Sequence, residues 1–452
     1  MTTAIPPNTG SATPSARDLA RNTPADRDRV VDFLRAASIV VVVFGHWLMA
    51  SVTISNGEFT AANTLTQVPV LQRLTWLLQV IPVFFFVGGF SNSVTISAFR
   101  RKNKSGAEFV VNRAERLLRP VFVLLAIWIP LAVLLGHVGL SNSLLGPATK
   151  LVAQPLWFIA VYLLVTALAP VMRTRHDLHR FATVGGLVLG AIVVDAARFG
   201  FGLDGLGFFN LFFVWLFAQQ LGFFYADGSL LTLSRRTFVC AALTALGALV
   251  ALTTIGPYPT SMVGLPGERI SNMNPPTICL LALTVLQVSL VMLARPALTR
   301  WLQRERNWAA VVALNGVIMT VFLWHLTAMI LLLTVISRFP IEQPSAGSAL
   351  WWATRPVWFA ALLIPLAALV AVFGRVERPL HNNDVTETPK AALTTIGVLG
   401  VVIGIGGIAA TDLVQLTAPG RAQIAIITLS TLQSIVLVLL GAALLRPRRI
   451  AA

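Results

Sequence analysis

The 452-residue chain is 56% hydrophobic and only 12% charged, with a formal net charge of +16. Many apolar runs reach about 20 residues, the length that crosses a bilayer. The composition therefore excludes an ordinary soluble domain and predicts an all-α, polytopic integral membrane bundle. The basic residues sit in short loops between apolar runs, where they set topology, and this excludes nucleic acid as a partner.

Residues 1–28 are polar and rich in Pro, Ser, Thr and Arg; they read as a disordered cytoplasmic tail without a cleavable signal. Apolar windows then predict about 12 transmembrane helices, over 30–52, 76–98, 120–138, 154–172, 181–197, 206–225, 237–256, 276–294, 309–337, 351–373, 391–411 and 422–445. With the N-terminus inside, 27 of the 34 Lys and Arg residues fall on the inner side and 7 on the outer. Both termini are accordingly expected in the cytoplasm, with the bundle in the plasma (inner) membrane. The expected organisation is a tail over 1–28, a core over 29–380, a polar linker over 381–390, two further spans within 391–445 and a basic tail over 446–452.

The first span, RVVDFLRAASIVVVVFGHWLMA from Arg29 to Ala50, carries Asp32 and Arg35 near one end and His46 deep inside. Ionisable residues in a span are costly and point to function. Arg35 and His46 are eleven residues apart. At about 100° per residue that is three turns plus about 20°, so both lie on one ridge, roughly 16 Å apart along the axis. Asp32, three residues before Arg35, shares that face and can pair with it. His46 is either a general base for a hydroxyl or a histidine that donates to a backbone carbonyl of the bundle.

The inner loop RRKNKSGAEFVVNRAERLLRP, residues 100–120, sets Arg113, Arg116 and Arg119 at three-residue steps between apolar residues. It reads as an amphipathic helix at the membrane surface, bending or restarting at Pro120. The guanidinium stripe suits a phosphate-bearing ligand, and equally anionic lipid head groups. His325, in FLWHLTAM, is either a second polar group in a cavity or a satisfied bundle histidine. Trp157, in QPLWFIAVYLL, packs the start of the fourth span or lines a substrate path. Asn92 follows two glycines, Gly88 and Gly89, that permit close helix approach, and reads as a packing residue. His137, His176, His179 and His381 fall near span ends or in loops and are expected to be solvated or interfacial. Cys240 and Cys279 lie inside spans without CxxC spacing, and no metal motif, Walker loop, GxSxG or HExxH occurs.

These segments together resemble the membrane acyltransferase family 3. The features that carry the resemblance are DFLRAASIVVVVFGH, an Arg followed by ten residues and a His; IPVFFFVGGF; RAERLLRP; PLWFIAVYLL; and FLWHL, spread over roughly 29–380. The resemblance is to stand-alone members of actinobacterial type. It implies a ten-span acyltransferase core followed by two additional spans. It places the catalytic role on His46 and the Arg-x-x-Arg motif on Arg113 and Arg116, with Arg116 and Arg119 fitting the same pattern. It further implies acyl-coenzyme A, such as acetyl-coenzyme A, as a cytoplasmic donor substrate with no permanently bound cofactor. Arg35, Arg113, Arg116 and Arg119 would bind the donor, and Asp32, Trp157 and His325 would lie toward substrate. The expected acceptor is a hydroxyl of an envelope glycan or glycolipid, trehalose lipids among them. The rival reading is a secondary transporter or a flippase for a lipid-linked sugar. It calls for two related halves with broken helices at the midplane, and no such repeat stands out in the sequence.

Overall fold

A computed structural model describes residues 15–24, 27–55, 58–138, 142–339, 344–376, 386–387, 389–411, 413, 421–424 and 427–449. The helices are α1 (Ala16–Arg21), α2 (Arg29–Met49), α3 (Ile81–Arg101), α4 (Gly106–His137), α5 (Asn142–Ala153), α6 (Leu156–Phe201) and α7 (Asn210–Ala226). They continue as α8 (Arg235–Thr254), α9 (Ile278–Leu302), α10 (Glu305–Asn315), α11 (Ile318–Ile336), α12 (Ala349–Val376), α13 (Ala391–Ala410) and α14 (Thr431–Leu445). Among the described residues, ten helical stretches are long and apolar enough to cross a membrane, and α14 is a shorter apolar helix. The bundle class holds, and the spans differ from expectation in detail. The fourth and fifth predicted spans are two helices that meet end to end within α6 at His179, whose φ of −146° and ψ of 51° leave the helical region. The predicted ninth span splits. Its helix ends at Asn315, whose side chain donates to the carbonyls of Asp32 and Val311, and α11 resumes after Val317.

Local chemistry explains several other boundaries. Asp28 caps α2 by accepting from the Val30 and Val31 amides, a stabilising arrangement at a helix N-terminus. α2 stops at Met49, short of the predicted 52, because Ala50–Ser55 pairs antiparallel with Glu58–Asn63. α4 starts from a Ser105/Glu108 capping box and runs unbroken through Pro120, where a bend or restart was expected. Val110, Val111, Ala114, Leu118, Val121, Leu124 and Leu125 form one buried face across the proline, and that packing outweighs its cost of about 3 kcal/mol. The expectation of a disordered tail over 1–28 fails for α1. Ala20 is buried, Arg21 pairs with Glu305, and Trp308 donates to Thr23, so this segment is strapped onto α10. Residues 1–14 and 377–385, the latter including His381, lie outside the described residues. Thr386–Glu387 pairs antiparallel with Arg448–Arg449.

The functional helices are seated by close backbone contacts. α3 and α7 cross at glycines, as the Gly88–Gly89 pair foretold. A Cβ on Gly89 would lie 2.1 Å from the Gln219 carbonyl oxygen, and one on Gly222 would lie 2.1 Å from that of Phe86. Asn92, one turn on, donates to Gln219 in the same interface, 3.1 Å. Because backbone rather than a flexible side chain is in the way, Gly222→Ala is expected to cost about 1–3 kcal/mol through overpacking. The expected readout is a lowered melting temperature in detergent, with Gly247→Ala, where the added atom meets open space, as the unaffected control.

Candidate active site

α2 packs against α3, α9, α10 and α11. Its Arg35–His46 ridge turns into the bundle, and each polar residue on it finds a partner there. At the end near the N-terminus of α2, Asp32 is 6% exposed and shared by two cations: Arg27 Nε at 2.6 Å and Arg35 Nη1 at 3.3 Å. Arg35 Nη2 also donates to Ser91 Oγ of α3, 2.7 Å. Arg113 approaches the same residue from α4, donating through Nη2 to the Ser91 carbonyl, 3.2 Å, and to Thr95 Oγ1, 2.7 Å. Two guanidiniums therefore converge on one serine, 22 residues apart from Arg113 and 56 from Arg35 in sequence. Arg113 stacks over Phe109 at 5.6 Å, and its Nε is buried without a hydrogen-bond partner. Arg116 is exposed a turn further along α4 and Arg119 is half-buried. Neither makes an ion pair among the described residues. Asp32 cannot offset Arg27, Arg35 and Arg113 together, and Asp28, a turn earlier, is engaged by Tyr225 and Arg295, so this end keeps a net positive charge suited to phosphate oxygens.

At the other end of the ridge, His46 meets His325 of α11. His46 Nδ1 lies 2.8 Å from His325 Nε2, and His325 Nδ1 lies 2.7 Å from the Phe322 carbonyl oxygen. A carbonyl only accepts, so His325 carries its proton on Nδ1 and accepts at Nε2 when neutral. His46 must then donate from Nδ1, which leaves its Nε2 with a lone pair and no proton. The direction of the whole chain follows from one backbone carbonyl. His325 is fully buried, whereas His46 is half-buried, so the imidazole at the open end of the relay is the one that carries the lone pair. The pair is clamped from behind: Trp47 Nε1 donates to the His325 carbonyl, 3.0 Å, and Trp358 Nε1 of α12 donates to the Trp47 carbonyl, 3.1 Å.

The other expected site residues sort by these contacts. Asp32 sits behind Arg35 and holds it. Trp157 is half-buried and stacks edge-on to Phe158, 6.0 Å between centroids; Phe158 packs on Phe322, 5.5 Å, and Phe322 on His325, 6.2 Å. It is thus two rings removed from the histidine pair. His176 departs from expectation. It is 3% exposed, donates from Nε2 to Asp227 and accepts at Nδ1 from Gln220 Nε2. It is a buried histidine rather than an interfacial one, because α7 covers it. Burial pushes the Asp227 carboxyl up, but its hydrogen bonds to Ser229 and His176 prevail and hold it below the ordinary carboxylate value. A surface cavity of about 550 Å³ opens at this kink. Its Arg173 and Arg180 are already paired with Asp177 and Asp227, which leaves it little charge for a ligand.

The geometry sets a lone-pair imidazole and Arg35 on one ridge of α2, with a second imidazole from α11 orienting the first and Arg113 of α4 joining the guanidinium. A family model described as an acyltransferase domain matches residues 28–375. The chain belongs to acyltransferase family 3. Searches of curated proteins and of solved structures found no match. As a member of acyltransferase family 3, the protein is a multi-pass membrane acyltransferase, and the match spans α2 through almost all of α12, which includes both ends of the ridge. Sequence reasoning did not foresee Ser91 and Thr95 as anchors for Arg35 and Arg113. The signal was present: the two hydroxyls are four residues apart, on one face of α3.

Proposed function

We propose that the protein is an O-acyltransferase that moves an acyl group, acetyl in the simplest case, from cytoplasmic acyl-coenzyme A to a hydroxyl of a cell-envelope glycan or glycolipid. Both termini face the cytoplasm and the bundle sits in the inner (plasma) membrane. The observation that carries this reading is the free Nε2 lone pair of His46, fixed by the His325–Phe322 relay, on the same ridge as Arg35. The donor's phosphates meet Arg35, Arg113 and Arg116, with Arg119 a turn beyond. Its pantetheine arm runs along α2 over roughly 16 Å, the axial distance between Arg35 and His46, and the thioester arrives at the imidazole.

His46 Nε2 takes the proton of the acceptor hydroxyl as its oxygen attacks the thioester carbonyl carbon. The carbon–sulfur bond breaks, and the imidazolium returns the proton to the departing thiolate. The products are an ester and free coenzyme A. His325 accepts from Nδ1 throughout and spreads the charge that forms on His46. The test uses the purified protein in proteoliposomes with acetyl-coenzyme A, with free thiol and acetylated product as readouts. Release of thiol is the expected result, and its absence at all donor concentrations overturns the reading. Arg35→Ala combined with Arg113→Ala is expected to raise the donor KM by tenfold or more, since each charge-assisted hydrogen bond contributes about 1.5–3 kcal/mol. At saturating donor, kcat should change little. An unchanged KM would make these arginines lipid contacts only.

A further inference from the structure

Beyond His46, on the side away from Arg35, α12 carries a second cation with the features of a binding group. Trp358 is held to the Trp47 carbonyl and Phe359 packs on Phe44, 5.1 Å between centroids. α12 therefore runs antiparallel to α2, and moving toward its N-terminus leads past His46 and beyond the end of α2. Arg355 lies one turn in that direction, about 4.5 Å from Trp358 along the axis. Its guanidinium is flanked by Trp351 at 4.4 Å and Trp358 at 5.4 Å, and its Nε donates to the Trp351 carbonyl, 3.2 Å. The plane and one edge of the group are thereby fixed. The two Nη groups make no hydrogen bond and no ion pair among the described residues. Arg355 is 7% exposed. A buried charge without a counter-ion is costly in any protein and more so in a membrane. A rigid, stacked fork with its outer donors open is the arrangement that takes a phosphate or carboxylate in bidentate fashion.

We propose that Arg355, seated on Trp351 and Trp358, forms an oxyanion subsite for the acceptor, so that the hydroxyl to be acylated is presented to His46 by a substrate bearing a phosphate or carboxylate close by. This rests on the acyl-transfer reading above and adds to it the charge of the acceptor. The donor and the acceptor then each bring an anion, and the two anions are held on opposite sides of the histidine pair. Indole faces beside the guanidinium also suit the apolar face of a sugar ring.

The experiment measures binding, so it does not depend on turnover. Full-length protein in phosphatidylcholine nanodiscs, saturated with coenzyme A to fill the donor site, is titrated with a short-chain alkyl phosphate, the matched alkyl carboxylate and a neutral alkyl glucoside. Quenching or enhancement of tryptophan fluorescence reports occupancy. The alkyl phosphate or the carboxylate should bind at least tenfold more tightly than the glucoside. Arg355→Met should erase that preference, Arg355→Lys should weaken it about tenfold, and Arg300→Ala, at an exposed cation outside both sites, should leave it intact. Equal binding of all three probes, or an unchanged preference in both Arg355 variants that retain their wild-type melting temperature, overturns the proposal. In phosphatidylglycerol nanodiscs the preference should persist; its disappearance there would assign the site to a lipid head group instead. Thiol release from acetyl-coenzyme A, followed in matched samples prepared without coenzyme A, separates failure of this subsite from failure of the acyl-transfer reading.

Discussion

His46→Ala is expected to lower acyl transfer in proteoliposomes by about a thousandfold, within the 10²–10⁴ range typical for loss of a positioned general base. The reason is the direction of the relay. His46 Nδ1 is committed to His325, so Nε2 is the nitrogen left to take a proton, and alanine removes it while leaving Arg35 and Arg113 in place on Ser91. The donor KM should therefore stay within a few-fold of wild type while kcat collapses. Thiol release without acceptor, if the wild type shows it, should vanish with the transfer. Turnover within a few-fold of wild type would remove His46 from the chemistry.

The second large effect belongs to His325. Its ring never reaches the open side of the relay, yet it sets which nitrogen of His46 bears the proton and accepts from the imidazolium that forms in the reaction. A hydrogen bond to a charged group contributes about 1.5–3 kcal/mol, and about 1.36 kcal/mol is a factor of ten in rate. His325→Ala should thus lower kcat by roughly ten- to a hundredfold. His325→Gln, whose amide oxygen can still accept from Nδ1, should recover part of the loss. The donor KM should hold in both variants. A residue that served packing alone would give equal losses in the two, tracking melting temperature, and would fail this test.

The first half of the site was legible because it is written in helical periodicity. Eleven residues return a side chain to its starting face, so Arg35 and His46 declare a shared ridge before any neighbour is known. Asp32 follows by the same local rule. His325 was visible as a buried polar residue, but its approach to His46 spans 279 residues and depends on how α11 packs against α2, which no local spacing encodes. The same holds for Arg113 and Ser91, where the stripe of arginines was plain and its target was not. His176 was misplaced for the converse reason: its position near a span end suggested solvent, whereas α7 folds over it. The proline in α4 shows local propensity yielding to tertiary packing. The split after Asn315 shows a local side-chain cap interrupting an apolar run that hydropathy alone reads as continuous.

The glycine crossing of α3 and α7 also decides which part of the bundle is free to move. With Gly89 and Gly222 backbone to backbone, neither helix can slide without driving a carbonyl into its neighbour. Ser91 and Thr95, and with them the anchors of Arg35 and Arg113, ride on a fixed rail. α11 is jointed instead, meeting α10 across Gly316 and Val317. Were α11 to swing at that joint, the two imidazoles would part and the proton path would break, while the cationic end stayed as it is. A cross-link between α2 and α11 would then slow turnover without loosening the grip on the donor.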